Sequence, residues 1–292
     1  MGKPQWKQML KRRSVRILLL SVCLLVPILW RLLTPANVTI LPFTYNAAQG
    51  SLRFRTLIAG HSHPLEFNTL LTKPLLGNRL YQQSSHEAVG IDRLNPMADF
   101  ALGSYRTHLF YEEVAEAELH PHTDGILGLN LFTPSPGFDG QNSRPGARVT
   151  IDFETKLLKV EDGTDFAPLH LPPGTVQAPL LRDGNGIYSL LLPLNNGMSY
   201  RFTLGIGYRD VLLPTGAVLF PASDGSSYVN AAGLVPVTLS MSGQDLSVQA
   251  IALPEYRSTG ILGMSLLVNY RVILDFRNRR LYLEPANSRN DF

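Results

Sequence analysis

The chain has 292 residues and one cysteine, Cys23. Residues beyond it can form no disulfide with one another, so the body must be held by its core alone, which this length permits. Long apolar runs with a 3.6-residue period are missing, which argues against a helical bundle. The chain has no Gly-x-x-x-x-Gly-Lys phosphate loop and no Gly-x-Ser-x-Gly nucleophile elbow. The first sixteen residues contain no acid, yet they hold Lys3, Lys7, Lys11, Arg12, Arg13 and Arg16. Those six positive charges, against +3 for the whole chain, leave −3 on the remainder. The sequence pI of about 9.0 therefore belongs to the tail. The body lacks a nucleic-acid footprint, and no nucleic-acid partner is expected.

The basic tail, residues 1–16, precedes an apolar run over residues 17–33. Trp30 and Arg31 suit a membrane interface, where an aromatic ring sits at headgroup level and Arg snorkels. The run reads as a transmembrane signal-anchor helix, short against the roughly 20 residues of a full span. The positive-inside bias puts the N-terminus in the cytoplasm and the body outside; in a bacterium that means the inner membrane and the periplasm. A cleaved signal peptide is the rival reading, and Pro27 and Arg31 speak against it. Cys23 lies inside the run, and Val22 stands where a lipid-attachment signal would have a small residue. A membrane-buried thiol is the expectation.

Past the anchor, β signals dominate. Val38–Leu41, Leu52–Ile58, Arg106–Tyr111 and Val235–Met241 alternate or run apolar at strand length. Turn clusters such as Ala59-Gly60-His61-Ser62-His63-Pro64, Asn195-Asn196-Gly197 and Ser242-Gly243-Gln244 separate them. Glu112–Glu118 is the best short helical candidate, with a strand as its alternative reading. Thr133–Gly146, rich in Pro and Gly, reads as a surface insertion. Asp162–Pro173 reads as a link between two halves.

The two halves share a pattern. Asp124-Gly125-Ile126-Leu127-Gly128-Leu129 is followed by Arg148-Val149-Thr150-Ile151-Asp152-Phe153. Thr259-Gly260-Ile261-Leu262-Gly263-Met264 is followed by Arg271-Val272-Ile273-Leu274-Asp275-Phe276. Both carry Gly-Ile-Leu-Gly and then Arg-Val-x-x-Asp-Phe. Two copies suit a two-lobed body better than a solenoid, which needs three or more. The lobes are expected over residues 37–166 and 167–286. Asp152 and Asp275 recur in the repeat, and their symmetry points to a hairpin hydrogen bond rather than chemistry.

The repeat resembles the second half of an aspartic-protease lobe of the retropepsin-like and pepsin-like kind. The resemblance implies an all-β fold of two pseudo-symmetric lobes, here preceded by one N-terminal transmembrane helix. Family lobes open with a hairpin ending in apolar-apolar-Asp-Thr-Gly, and the two aspartates meet face to face. The first lobe offers Glu66-Phe67-Asn68-Thr69-Leu70, with Asn68 for Asp and Leu70 for Gly. The second offers Leu212-Leu213-Pro214-Thr215-Gly216-Ala217, with Pro214 for Asp. Asn68, Thr69, Pro214, Thr215 and Gly216 thus become the degenerate site positions. The resemblance also makes Tyr105 a candidate for a flap over the cleft. The plainer reading of Tyr105 is an aromatic on an edge hairpin.

Aspartic-protease chemistry needs two carboxylates sharing one proton. Neither Asn68 nor Pro214 can act as general base. Asp210, four residues before Pro214, reads as a turn residue. His61-Ser62-His63 and His120-Pro121-His122 could each point two imidazoles to one face, but neither has a nearby acid or Cys at convincing ligand spacing, so no metal and no cofactor is expected. The expected function is a catalytically inactive, membrane-anchored protein. It would bind a peptide or an envelope protein in or near the inter-lobe cleft, with Asn68, Pro214 and Tyr105 as cleft candidates. The alternative is an active peptidase or hydrolase with a divergent site, including one that uses the histidines.

Overall fold

The computed structural model describes residues 37–85, 97–134, 146–163, 166, 168–195, 197–214, 234–252 and 258–286. The apolar run 17–33, Thr215 and Gly216 lie outside them. Among the described residues no helix is long and apolar enough to cross a membrane.

The first half runs β1 (Asn37–Pro42), β2 (Thr44–Asn46), β3 (Ser51–Ile58), β4 (His61–Phe67), β5 (Leu75–Gly77) and helix α1 (Asn78–Ser85). It continues with β6 (Met97–Leu102), β7 (Tyr105–Phe110), β8 (Glu112–Val114), β9 (Gly125–Leu127), β10 (Arg148–Asp152) and β11 (Leu157–Asp162). The second half runs β12 (Val176–Pro179), β13 (Leu181–Arg182), β14 (Tyr188–Pro193), β15 (Ser199–Gly205), β16 (Val211–Leu213) and β17 (Leu234–Met241). It closes with β18 (Gln244–Ala252), β19 (Gly260–Gly263), helix α2 (Met264–Leu267), β20 (Tyr270–Asp275) and β21 (Arg280–Pro285). The all-β architecture expected from the sequence is the one observed. Glu112–Glu118 is not a helix: Glu112–Val114 is a strand and Glu116–Glu118 a single 3-10 turn.

Alternation explains most strands. In β3, Leu52, Phe54 and Ile58 are buried while Arg55 and Leu57 face out. Burial of each such side chain stabilises the fold by roughly 1.5–3 kcal/mol. Each half folds a sheet of its own, ordered β7-β6-β3-β4-β9-β5-β8 in the first and β13-β14-β15-β19-β16-β18-β17 in the second. A third sheet joins them in the order β1-β11-β10-β20-β21-β12. Three strands come from each half, and the duplicated Arg-Val-x-x-Asp strands β10 and β20 meet antiparallel at its centre.

That central pair carries an ion pair between the halves, Arg148–Asp275. Arg148 sits opposite Asp275 in the ladder, its Nε 3.4 Å from the carboxylate, with Glu161 at 3.6 Å. Arg271 pairs with Glu284 in the second half as Arg148 does with Glu161 in the first. Phe166, in the link between halves, lies over the Arg148 guanidinium at 4.5 Å. Asp152 and Asp275 also hold their hairpin turns. Asp152 accepts the N–H groups of Glu154 and Thr155 at 3.0 and 3.2 Å, and Asp275 accepts that of Asn278 at 2.9 Å. Both recurring aspartates are therefore turn residues, and Asp275 also meets Arg148 across the interface. Burial raises the Glu284 carboxyl above its ordinary pKa, Arg271 pulls it back, and Asp152 adds to the rise.

Candidate functional site at the junction of the lobes

Hairpin β3–β4 delivers Asn68 and Thr69 to the junction. Phe67 pairs with Leu127 in parallel, and Asn68 N–H donates to Leu127 O at 3.0 Å. The Gly-Ile-Leu-Gly strand β9 thus lies alongside the end of the hairpin. Asn68 folds its own amide oxygen onto Leu70 N–H at 2.9 Å. Thr69 is fully buried and crosses to the other half. Its Oγ1 donates to Leu204 O at 2.5 Å and accepts from Ile206 N–H at 2.9 Å. Its own N–H donates to Ile206 O at 3.0 Å.

The segment facing Asn68-Thr69 is therefore Leu204-Gly205-Ile206-Gly207. Internal symmetry agrees. Hairpin β14–β15 ends at Gly205, which pairs in parallel with Gly263 of the second Gly-Ile-Leu-Gly strand. Leu129 and Asn130 donate to Leu71 O and Thr72 O at 2.8 and 3.2 Å; Met264 and Ser265 donate to Tyr208 O and Arg209 O at 2.7 and 2.8 Å. Matching these bonds sets Asn68 against Gly205, Thr69 against Ile206 and Leu70 against Gly207.

Pro214 is not the partner of Asn68. It follows β16, whose Leu212 pairs antiparallel with Ile261 as Leu75 pairs with Ile126, so its counterpart is Gly77. Leu-Leu-Pro-Thr-Gly-Ala imitates the sought motif nine residues too late. Spacing alone separates the two candidates: Asn68 precedes Gly128 by 60 residues, Gly205 precedes Gly263 by 58, and Pro214 precedes it by 49. Gly205-Ile206-Gly207 carries neither the acid nor the hydroxyl of the motif, so nothing in its residue types marks it. Tyr105 is also displaced from its flap role. Its ring is 2% exposed, its hydroxyl donates to Leu131 O at 2.5 Å, and Phe132 lies 5.8 Å away, so it is a core residue of the first lobe.

The junction is tight on the Gly205 side. A Cβ added at Gly205 would overlap Ile261 Cγ2. Gly207, at φ +89°, packs against Phe67 O, which a Cβ would approach to 2.7 Å. Gly50, at φ +70°, lies on the Arg209 backbone in the same way. Burial raises the Tyr45 phenol above its ordinary pKa, with Arg209 opposing. Asp210 has its carboxylate 3.7 Å from Arg209 Nε, and its backbone carbonyl is packed against Gly263.

The histidines pair with carboxylates elsewhere on the first lobe. His63 Nδ1 donates to Asp124 at 2.9 Å, and His120 Nδ1 to Glu66 at 2.7 Å. Among the described residues no three His, Cys, Asp or Glu are grouped to hold a metal ion.

Two comparisons return nothing: no protein-family model matches the chain, and no curated protein does. Among solved structures it is similar to the crystal structure of an aspartic proteinase from Irpex lacteus, with a TM-score of 0.56. The alignment covers 86% of this chain and 98% of that chain at 12% sequence identity. The fold is that of an aspartic protease; at this identity the likeness carries nothing further.

Proposed function

We propose that the chain is a membrane-anchored, extracytoplasmic protein of aspartic-protease fold that does not hydrolyse peptides. It engages a peptide or an envelope protein at or near the junction of its lobes. The observation that carries this reading is the pair Asn68 and Gly205 at the two matched hairpin ends. Peptide hydrolysis on this fold needs one carboxylate to activate water and a second to protonate the carbonyl oxygen. An amide cannot accept that proton, and glycine has no side chain. Ile261 fills the space where a second carboxylate would begin.

Apolar groups left in solvent on hairpin β14–β15 lie toward its turn, away from the Gly205 end, and offer a partner surface beside the junction rather than in it. Leu191 is 57% exposed and Met198 48%. The edge strands of that sheet are β13 and β17, and a peptide can add to such an edge through backbone hydrogen bonds. Anchoring rests on the basic tail and the apolar run 17–33.

A second reading, a histidine hydrolase, rests on one observation. His63, held by Asp124, lines a cavity of about 480 Å³ with Ser62, Ile58 and Leu80. Ser62 Oγ accepts from Arg55 Nε at 2.9 Å, which ties that hydroxyl to the arginine. The anchored, non-catalytic reading is the stronger.

Two measurements test it. Protease added to sealed vesicles of known orientation should digest the lobes only from the extracytoplasmic face; digestion solely from the cytoplasmic face reverses the topology. A transition-state analogue, whose hydroxyl lodges between two carboxylates, should bind far more weakly than it binds an active enzyme. Tight binding would restore an active dyad.

A further inference from the structure

Arginine is concentrated on one end of the six-stranded sheet. Arg277, Arg279 and Arg280 lie at the β20–β21 turn, and Arg182 lies in β13 beside it; all four are exposed. Leu180 N–H donates to Arg279 O at 2.9 Å, which joins the two segments. The Arg182 guanidinium sits 6.0 Å over the Tyr188 ring, and Arg277 donates to Gly163 O at 3.3 Å. None of the four forms an ion pair with a described residue. Of the neighbouring acids, Asp275 is buried against Arg148. Asp183 accepts the N–H groups of Asn185 and Ile187 within its own turn. Asp162, half-buried, lies at the same end, its backbone paired with Asn37 in the ladder.

The register fixes which end this is. Asn37 pairs with Asp162, Glu161 with Arg148, Arg148 with Asp275, and Asp275 with Arg280. The arginine turn therefore lies at the end where β1 begins. The matching turn of the first half, Phe153-Glu154-Thr155-Lys156, lies at the other end, where Phe43 N–H donates to Lys156 O. That turn balances Glu154 with Lys156, whereas its duplicate, Phe276-Arg277-Asn278-Arg279, carries two arginines and no acid, and Arg280 follows at the start of β21. Val38 and Leu181, 46% and 38% exposed, add apolar surface to the arginine end.

Chain length says what lies nearby. From Leu33, the last residue of the apolar run, to Asn37 is four residue steps, at most about 14 Å of extended chain. That is close to the range, about 10 Å at moderate salt, over which surface charges act. Clustered arginines beside a membrane segment are drawn to anionic headgroups.

We propose that Arg182, Arg277, Arg279 and Arg280 rest on anionic lipid headgroups of the membrane that holds residues 17–33, so that this end of the sheet faces the bilayer. The proposal depends on the anchoring reading above. The Phe153–Lys156 turn then points away from the membrane.

The test uses the full chain in lipid nanodiscs, one set of phosphatidylcholine alone and one with phosphatidylglycerol added. Arginine-directed phenylglyoxal labelling is read by mass spectrometry, with exposed Arg201 as internal reference. Labelling of Arg182, Arg277, Arg279 and Arg280 should be roughly fivefold slower in the anionic discs, and high salt should abolish the difference. In the variant Arg277→Ser/Arg279→Ser/Arg280→Ser, Arg182 should label at one rate in both discs. Lys156→Ser should leave the protection intact. Protein that stays with both kinds of disc but shows no anionic protection overturns the docking proposal and leaves anchoring standing. Protein that does not stay with either disc overturns the anchoring reading, and this proposal with it.

Discussion

The first half of the chain closes its opening hairpin with Asn68-Thr69-Leu70; the second closes the matching hairpin with Gly205-Ile206-Gly207. Both ends lie beside a Gly-Ile-Leu-Gly strand and both receive the same pair of backbone bonds from the segment after it. What differs is the side-chain chemistry. Thr69 keeps a hydroxyl that ties the lobes together, while Ile206 offers only carbon. One hydroxyl satisfies both Leu204 O and Ile206 N–H, so a one-sided tie suffices. The acids are absent on both sides. The junction has a hydroxyl that ties the lobes together and no acid at either matched hairpin end.

The largest effect that would sharpen this comparison lies in the sheet joining the halves. Arg148→Ala leaves Glu161 and Asp275 buried without their shared cation, a loss of about 3–5 kcal/mol. Urea unfolding of the detergent-solubilised chain should show it; a loss below about 1 kcal/mol would mean the pair does not bridge the lobes.

At the junction, Thr69→Val strands a buried carbonyl and a buried N–H in the second half, at a cost of about 2–3 kcal/mol. The reciprocal Ile206→Thr should cost about 1 kcal/mol or less, since it gives up some apolar contact but adds a hydroxyl facing the first lobe. If Ile206→Thr proved the more damaging, the tie would not be one-sided.

Rebuilding the acids should fail for a steric reason. Asn68→Asp/Gly205→Asp forces a Cβ onto Ile261 Cγ2, so the pair should lower stability by about 1–3 kcal/mol without yielding hydrolysis. Adding Ile261→Ala should recover part of the stability loss. A double variant as stable as the parent would show room at Gly205 that the geometry denies.

The smallest effect is a pH dependence. The Glu284 pKa is raised on folding, chiefly by burial, so the native state binds its proton more readily than the unfolded chain does. This group therefore favours folding fully below the ordinary glutamate pKa, and that contribution is lost as pH rises through the raised value. Glu284→Gln should flatten the stability profile across that window. An unchanged profile would place the titration elsewhere.

The fold could be read from the sequence because its signal is repeated and local. Gly125–Gly128 and Gly260–Gly263 mark β9 and β19, and the Arg-Val-x-x-Asp segments mark β10 and β20 at the centre of the joining sheet. Val38–Leu41, Leu52–Ile58 and Val235–Met241 became strands for the reason their alternation gives. Helix α1 has little sequence signal: Asn78–Ser85 is mostly polar, and Leu80 is its buried residue among those whose burial is described. Half of the site was legible, at Asn68-Thr69. The other half was hidden because Gly205 and Ile206 lack the residue types by which such a position is sought, while Pro214-Thr215-Gly216 has the look of it. The contact from Thr69 across the junction, the strand register and the spacing to Gly263 distinguish them.

Peptide hydrolysis by the unmodified protein is the most direct test of the account. The purified full chain, incubated with a diverse peptide mixture from acid to neutral pH and read by mass spectrometry, should produce no cleavage above a buffer blank. Cleavage that survives rigorous purification and stops when a single Asp or Glu is replaced would contradict the account and would identify an active carboxylate.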